Sequence, residues 1–494
     1  MLTKSSLDKD LAKIATIEES TRSLSQKLFA PGLAIIFLGL SAAFASYLNG
    51  AHPNAVIIII AATIGGYMAL NIGANDVANN VGPAVGSKAM TLTLALIIAA
   101  VFESAGALIA GGDVVSTISK GIIDPSLVPD SNIFVMAMLA ALLSSAIWVN
   151  IATFLGAPVS TTHSIVGGVL GAGVAAAGFA VVNWATMSKI AASWVISPVL
   201  GGVIAALFLA FIKTNIIYQD DKIAAAKKWV PVLLAIMSGT FACYLAMKGL
   251  KRVWKADAVA VIGIGMAIFV ATYILVKPWV AQQAAGLENR NQSLRKLFNL
   301  PLIFSAALLS FAHGANDVAN AVGPLAAILH SVQYGDIAAK VDIPLWVMMI
   351  GAAGISLGLF LFGPRLIRMV GEQITKMNPM RAYCVALSAA ITVIIASALG
   401  LPVSSTHIAV GAVFGVGFFR EQYTKRSKRR QMYVKAHKRS DSSKTIKKAT
   451  EEGNKRKSLV RRSHFLTIIA AWVITVPASA LLASIIFFII KAIW

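Results

Sequence analysis

The chain has 494 residues, of which 57% are apolar and 13% charged, and its formal net charge is +22. A soluble protein of this length would divide into several domains clad in charge, roughly a quarter of all residues. That charge is missing, so a cytosolic enzyme is excluded. At about 20 apolar residues per span, the composition fits an all-α polytopic membrane protein with about 12 transmembrane helices.

Residues 1–28 come first. They mix Lys4, Lys9, Lys13, Arg22 and Lys27 with Asp8, Asp10, Glu18 and Glu19. A presequence is basic and poor in acids, so this segment reads as a polar surface helix or a loose tail. A bacterial inner membrane is the expected location of the multi-pass chain. Apolar stretches follow near 30–49, 54–70, 89–111, 132–155, 164–182, 193–213, 229–248, 257–276, 299–312, 344–363, 381–399, 408–419 and 465–490. Those at 299–312 and 408–419 are too short alone and must continue into Gly-rich sequence or form partial spans. The chain turns polar at 214–228 and again at 277–298, where KPWVAQQAAGLENRNQSLRK reads as a linker between two halves.

Much of the net charge is local. Between Arg420 and Arg462 there are 17 Lys and Arg against Glu421, Asp441, Glu451 and Glu452. Such a run can bind nucleic acid. Beside membrane spans it is better explained as a short basic loop held on the cytoplasmic side, with attraction to anionic lipid. Cys243 and Cys384 lie in apolar runs and make no disulfide framework or zinc site.

The most informative feature is a repeat. Residues 73–83 read GANDVANNVGP and residues 314–324 read GANDVANAVGP, ten of eleven positions agreeing at an offset of 241. Residues 155–163 read LGAPVSTTH and residues 399–407 read LGLPVSSTH, seven of nine agreeing at an offset of 244. The spacing from Asp76 to His163 is 87, and from Asp317 to His407 it is 90. The chain is therefore a duplicated unit. The expected parts are a first repeat at 29–216, middle helices and linker at 217–298, a second repeat core at 299–419, a basic cytoplasmic loop at 420–464 and a final helix at 465–494. Duplicated membrane units are the usual build of secondary transporters, whose sites lie where the units meet, on helices interrupted in corresponding places. Interruptions are expected at 71–86 and 312–327, and at Pro158 and Pro402.

Asn75, Asp76, Asn79 and Asn80, with Asn316, Asp317 and Asn320, fall at membrane depth. An ionised Asp there costs about 2.5–3.5 kcal/mol even on the lenient insertion scale, so these groups must face a protein interior or a wet cavity. Asp76 and Asn79 are three apart, as are Asp317 and Asn320, and share a helix face. Their oxygens suit a hard cation such as sodium; the plainer reading is hydrogen-bond glue between helices. Ser160, Thr161 and Thr162, with Ser404, Ser405 and Thr406, follow a proline and precede Gly-rich apolar runs. They read as hairpin tips that start helices. Helix starts offer N–H groups and partial positive charge to an anion, and two of them could hold a tetrahedral oxyanion; ordinary capping is the plainer reading.

The four motifs hold two Asp and no Lys or Arg. A multiply charged anion could enter only with cations, sodium or protons. Glu103 lies inside a span and is a further proton or cation candidate. If GALIAG (106–111) is matched to GLFLFG (358–363), Ile355 takes its place in the second half. His163, His313 and His407 could titrate near neutral pH or serve as hydrogen-bonding supports, and no set of them has metal-ligand spacing. Asp113 reads as an interfacial charge.

The paired GANDVAN and PVS-[TS]-TH motifs resemble the inorganic phosphate transporter (PiT) family over roughly residues 30 to 490. The resemblance implies two inverted repeats with discontinuous helices or re-entrant hairpins. It implies phosphate held by Ser160, Thr161, Thr162, Ser404, Ser405 and Thr406. It also implies sodium at Asn75, Asp76, Asn316 and Asp317, as a co-substrate with no other cofactor. Glu103 sits where family members carry a functionally important glutamate. Some relatives have another shortly before the second PVS-[TS]-TH motif; RAYCVALSAAITVIIASALG has none. The GANDVAN form is closer to the sodium-dependent branch than to the proton-coupled one. The expected partners are inorganic phosphate, sodium or protons, membrane lipid and a second copy of the chain in a homodimer, with no nucleic acid.

The leading expectation is a cation-coupled phosphate importer working by alternating access. A sulfate or other oxyanion permease and a non-transporting receptor or scaffold are the alternatives. An intramembrane aspartyl protease would need a GxGD context, which neither Asp has.

Overall fold

A computed structural model of the chain describes residues 6–157, 159–249, 256–336, 343–373, 377–426 and 462–494. The expectations for Pro158, for most of the basic loop 420–464 and for the side chains of the first 27 residues lie outside what is described. Among the described residues the fold is all-α, with one isolated antiparallel bridge between Ile123 and Val182.

The first half comprises α1 (Ser6–Asn49), α2 (Ala55–Gly86), α3 (Leu92–Ala110), the short α4 (Gly112–Ser116), α5 (Ser131–Phe154), α6 (Thr161–Ala177) and α7 (Trp184–Ile212). Two helices, α8 (Lys222–Lys248) and α9 (Ala258–Gln283), and the short α10 (Asn291–Leu297) lead into the second half. That half comprises α11 (Asn299–Asp317), α12 (Ala319–Tyr334), α13 (Leu345–Leu361), α14 (Gly363–Gln373), α15 (Pro379–Ala398), α16 (Ser405–Arg426) and α17 (Arg462–Ile493). Ten of the described helices are long and apolar enough to cross a membrane, α11 and α12 counting as one. The shorter helices α6 and α13 are apolar as well. Polar side chains start several spans: Asp130, Asp221 and Asp257 each accept the N–H three residues on, at 2.8–2.9 Å.

The two halves interlock. Helix α3 of the first packs on α11 of the second, and α13 of the second packs on α2 of the first. Glycine permits both crossings. A Cβ on Gly73 would overlap the carbonyl oxygen of Ile355, and one on Gly314 would overlap that of Glu103. Gly358 meets Leu70 and Gly106 meets Phe311 in the same way. These matched contacts put Ile355 in the place of Glu103, as the GALIAG alignment predicts. The exchange recurs farther along, where α6 packs on α17 and α16 on α7 through Gly167, Gly171, Gly411 and Gly415. Small residues of this kind let membrane helices approach closely enough for dispersion to hold them.

The hairpins α5–α6 and α15–α16 enter from opposite ends of the bundle. Helix α6 ends just before α7 begins. At the far end of α7, Lys213 lies 4.3 Å from the ring of Tyr423, near the end of α16. The turns are alike: Gly156 and Gly400 take left-handed φ values of 72° and 68°, which a glycine adopts freely.

One expectation is corrected. The GANDVAN segments are expected to interrupt both helices, but α2 runs unbroken through residues 71–86, and α11 passes into α12 through Val318 with helical angles (φ −56°, ψ −30°) and its N–H still bonded to the Gly314 carbonyl at 3.3 Å. The side chains of Asn75, Asn79 and Asn80 bond to other helices rather than to their own backbone, which removes their competition with the helix. Pro83 and Pro324 still withhold an N–H, which takes the carbonyls of Asn79 and Asn320 out of the helical ladder.

The apolar interior forms two clusters. Helix α2 gives Ile58–Ile72 to one and Val77–Ala84 to the other; the second half gives Val318–Leu329 to the first and Leu302–Ala312 to the second. The Asn-Asp pairs fall at the seam, which puts the polar groups at the centre of the molecule.

Candidate functional site

Each Asn-Asp pair ties down a hairpin. Asn75 Nδ2 donates to Thr153 Oγ1 at 2.9 Å and to the Ala157 carbonyl at 3.4 Å. Asn316 Nδ2 repeats this with Ser397 Oγ at 2.9 Å and the Leu401 carbonyl at 3.2 Å. The second Asn of each motif reaches across to the other half. Asn79 donates to Thr406 at 2.8 Å, and Asn320 donates to Thr162 at 3.2 Å. The tips therefore cannot shift without breaking bonds to both repeats.

Ser160 caps α6 by accepting from the His163 N–H at 3.1 Å, and Ser404 caps α16 by accepting from that of His407 at 3.3 Å. The two helix starts meet: Thr162 Oγ1 donates to the Val403 carbonyl at 3.0 Å, and the rings of His163 and His407 are 4.3 Å apart. His163 also stacks on Trp194 at 3.7 Å. Both histidine rings thus pack behind the Ser/Thr tips. Ser104 and Ser356, likewise equivalent by the repeat, touch at 2.6 Å. These self-related pairs mark the axis relating the halves.

The expected cation and anion residues form one cluster. Thr161 Oγ1 donates to Asp76 Oδ2 at 2.8 Å and lies 3.3 Å from Asp317 Oδ2. Thr406 Oγ1 donates to Asp76 Oδ1 at 3.1 Å. So Thr161 and Thr406, expected on phosphate, are turned here toward carboxylates. Glu103 accepts from Asn80 Nδ2 at 2.8 Å. His313 stands among all three acids, 3.2 Å from Asp317, 3.3 Å from Glu103 and 3.6 Å from Asp76. The histidines show no metal spacing in the sequence, yet folding brings His313 into one group with Asp76 and Asp317.

All of these side chains are buried. Among the described residues no Lys or Arg pairs with the three acids. Several acceptor oxygens have no hydrogen-bond partner: Asn75 Oδ1, Asn320 Oδ1 and Asp317 Oδ1. A buried acceptor of this kind is expensive unless something binds it. The donor set is carboxylate and amide oxygen, which matches a hard cation. Ser405 Oγ also lacks a partner at the second hairpin tip.

The sequence reading passed over Thr153 and Ser397 as anchors. A signal existed: the second repeat extends two residues farther back, where both halves carry a hydroxyl. It also left unremarked that His313 corresponds to Ile72 in the first half.

A profile of the phosphate transporter family matches residues 72–483. A relative from Helicobacter pylori is 47% identical over 97% of this chain and 98% of its own length. One from Pyrococcus abyssi is 37% identical over 88% of this chain and 98% of its own. Both names begin "Putative phosphate permease". A solved structure described as "The sodium-dependent phosphate transporter" is 34% identical, with a TM-score of 0.78 over 89% of this chain and 100% of that one. With a match running over most of its length, the chain belongs to the phosphate transporter family.

Proposed function

We propose that this multi-pass transporter imports inorganic phosphate together with sodium, by alternating access at the seam between its halves. The observation that carries the reading is Thr161, whose hydroxyl lies within 3.3 Å of both Asp76 and Asp317. It joins a helix start suited to an oxyanion to two buried carboxylates suited to a cation.

Charge dictates coupling. Asp76, Asp317 and Glu103 would bring three negative charges, and among the described residues His313 is the one cationic candidate beside them. Helix starts supply about half a positive charge each. A phosphate anion would enter only after cations occupy Asn75, Asp76, Asn316 and Asp317. The solute would then bind between Ser160, Thr161 and Thr162 on one tip and Ser404, Ser405 and Thr406 on the other. Binding would turn Thr161 and Thr406 from the carboxylates to the solute. The name of the similar solved structure favours sodium over protons.

The bundle end that carries Lys88, Arg295, Arg368 and Arg426 is far richer in cations than the end with Asp113, Asp124, Asp130 and Asp336. By the positive-inside rule the first end faces the cytoplasm, which suits a cell inner membrane. The apolar outer faces of α1 and α9, whose spans are 11% buried, suit lipid or a second copy of the chain.

The test is uptake of labelled phosphate by purified protein in liposomes, with sodium and proton gradients varied separately. Uptake should follow the inward sodium gradient and fall with unlabelled phosphate but not with sulfate. Indifference to sodium would remove the coupling, and equal competition by sulfate would remove phosphate selectivity.

A further inference from the structure

The end of α2, α10, α14 and the start of α15 border a half-open cavity of about 670 Å³, none of whose described lining residues belongs to the central cluster. Five side chains on its wall are cationic: Lys88, Arg295, Lys296, Arg368 and Arg381. None is acidic. Among the described residues, none of the five is in an ion pair. Arg381 is partly withdrawn from water, and its Nε is held by Asn378 Oδ1 at 3.0 Å. The positive end of α15 opens on the same wall, with Asn378 as its cap.

A cytoplasmic surface usually intersperses its cations with acids. Here five like charges border one concave space with no acid among its described lining residues, and their fields add. Lys88 sharpens the point. It is the single non-glycine residue with a positive φ, 62°, among those described, a backbone state that glycine would adopt without strain. Arginine forks and lysine ammonium groups match the several oxygens and double charge of a phosphate group better than a lone carboxylate. The volume suits a small ligand rather than a polymer.

We propose that this cavity is a second anion site, separate from the transport site, which takes a phosphate group, either free inorganic phosphate or the headgroup of an anionic lipid. The proposal stands whether or not the central site carries phosphate.

The test uses the full chain in nanodiscs of neutral lipid and sodium-free buffer, so that the central site lacks the cations that phosphate binding there requires. Equilibrium binding of labelled inorganic phosphate should be saturable and should weaken as salt is raised. The combined Lys88→Gly, Arg295→Gln and Arg368→Gln substitutions should weaken it about tenfold or more. These three side chains are exposed, and Lys88→Gly relaxes the backbone, so an unfolded variant is not the expected cause of a loss. In a second arm, discs containing phosphatidylglycerol assign the source. Lipid retained by the starting protein and lost from the substituted one, with inorganic phosphate displaced, identifies a headgroup. Phosphate binding that persists in those discs identifies the free ion. If the substitutions change neither phosphate binding nor lipid retention, the site does not exist.

Discussion

Asn80 donates a 2.8 Å hydrogen bond to Glu103, and the residues in the same two places of the other half, Ala321 and Ile355, are apolar. His313, which lies 3.3 Å from Glu103, is matched by Ile72. A polar arm thus reaches into the centre from one side only, and its mirror image is filled with hydrocarbon. The one mismatch in the eleven-residue repeat, Asn80 against Ala321, belongs to this arm and not to random drift between the copies.

The arm should behave as a unit. Glu103→Ile alone leaves the Asn80 amide without its acceptor and should destabilise the protein by about 1–3 kcal/mol. Asn80→Ala with Glu103→Ile copies what the second half already packs, so the pair should be less harmful than the sum of the singles. Melting temperatures in a double-mutant cycle measure this; strict additivity would mean that the two side chains act independently.

Asp76→Ala or Asp317→Ala should lower phosphate uptake on the order of 100-fold, equivalent to about 3 kcal/mol of lost binding. The folded protein should survive, because each change removes a buried charge that no Lys or Arg among the described residues offsets. Size-exclusion elution and melting temperature report folding beside the uptake assay. Normal uptake after both replacements would demote the site to a scaffold.

The two hairpin tips should not respond alike. Thr161 touches both carboxylates, whereas Ser405, its counterpart, has no hydrogen-bond partner for Oγ. Thr161→Ala should raise the sodium concentration for half-maximal uptake about tenfold, and Thr161→Ser should restore it. Ser405→Ala should raise the KM for phosphate with little change in sodium dependence. Equal effects on sodium at both positions would contradict the asymmetry.

Gly314→Ala and Gly358→Ala should each destabilise by about 3 kcal/mol or more, since the added carbon overlaps a backbone carbonyl on a neighbouring helix. Gly32→Ala and Gly263→Ala, where nothing lies within 4 Å, should be near neutral. Yield of folded protein and melting temperature distinguish the two classes.

Much of this molecule was legible because its chemistry is written twice. Apolar length gave the spans. The recurrence of Asn75-Asp76 as Asn316-Asp317, and of Ser160 as Ser404, located the centre before any coordinates. Alignment of GALIAG with GLFLFG paired Glu103 with Ile355, and the glycine contacts bear that out. The unbroken course of α2 was not legible, because it depends on partners such as Thr153 and Thr406 that satisfy the asparagines from other helices. Nor was the meeting of His313 with Asp76. Those residues are 237 positions apart, and no local pattern carries that distance. The cationic cavity near Lys88 was hidden for the same reason: Arg295 and Arg368 come to it from separate segments.

The crossed helices also set a problem for synthesis. The face of α2 around Gly73 is closed by the helix containing Gly358, which leaves the ribosome 285 residues later. At about 5–20 residues per second, the nascent chain waits roughly 15 to 60 s with acidic groups in the bilayer and no mate to shield them. Insertion machinery that shelters the early spans until translation is nearly complete is therefore a requirement of this architecture. A chain truncated after its first half should be degraded rather than accumulate.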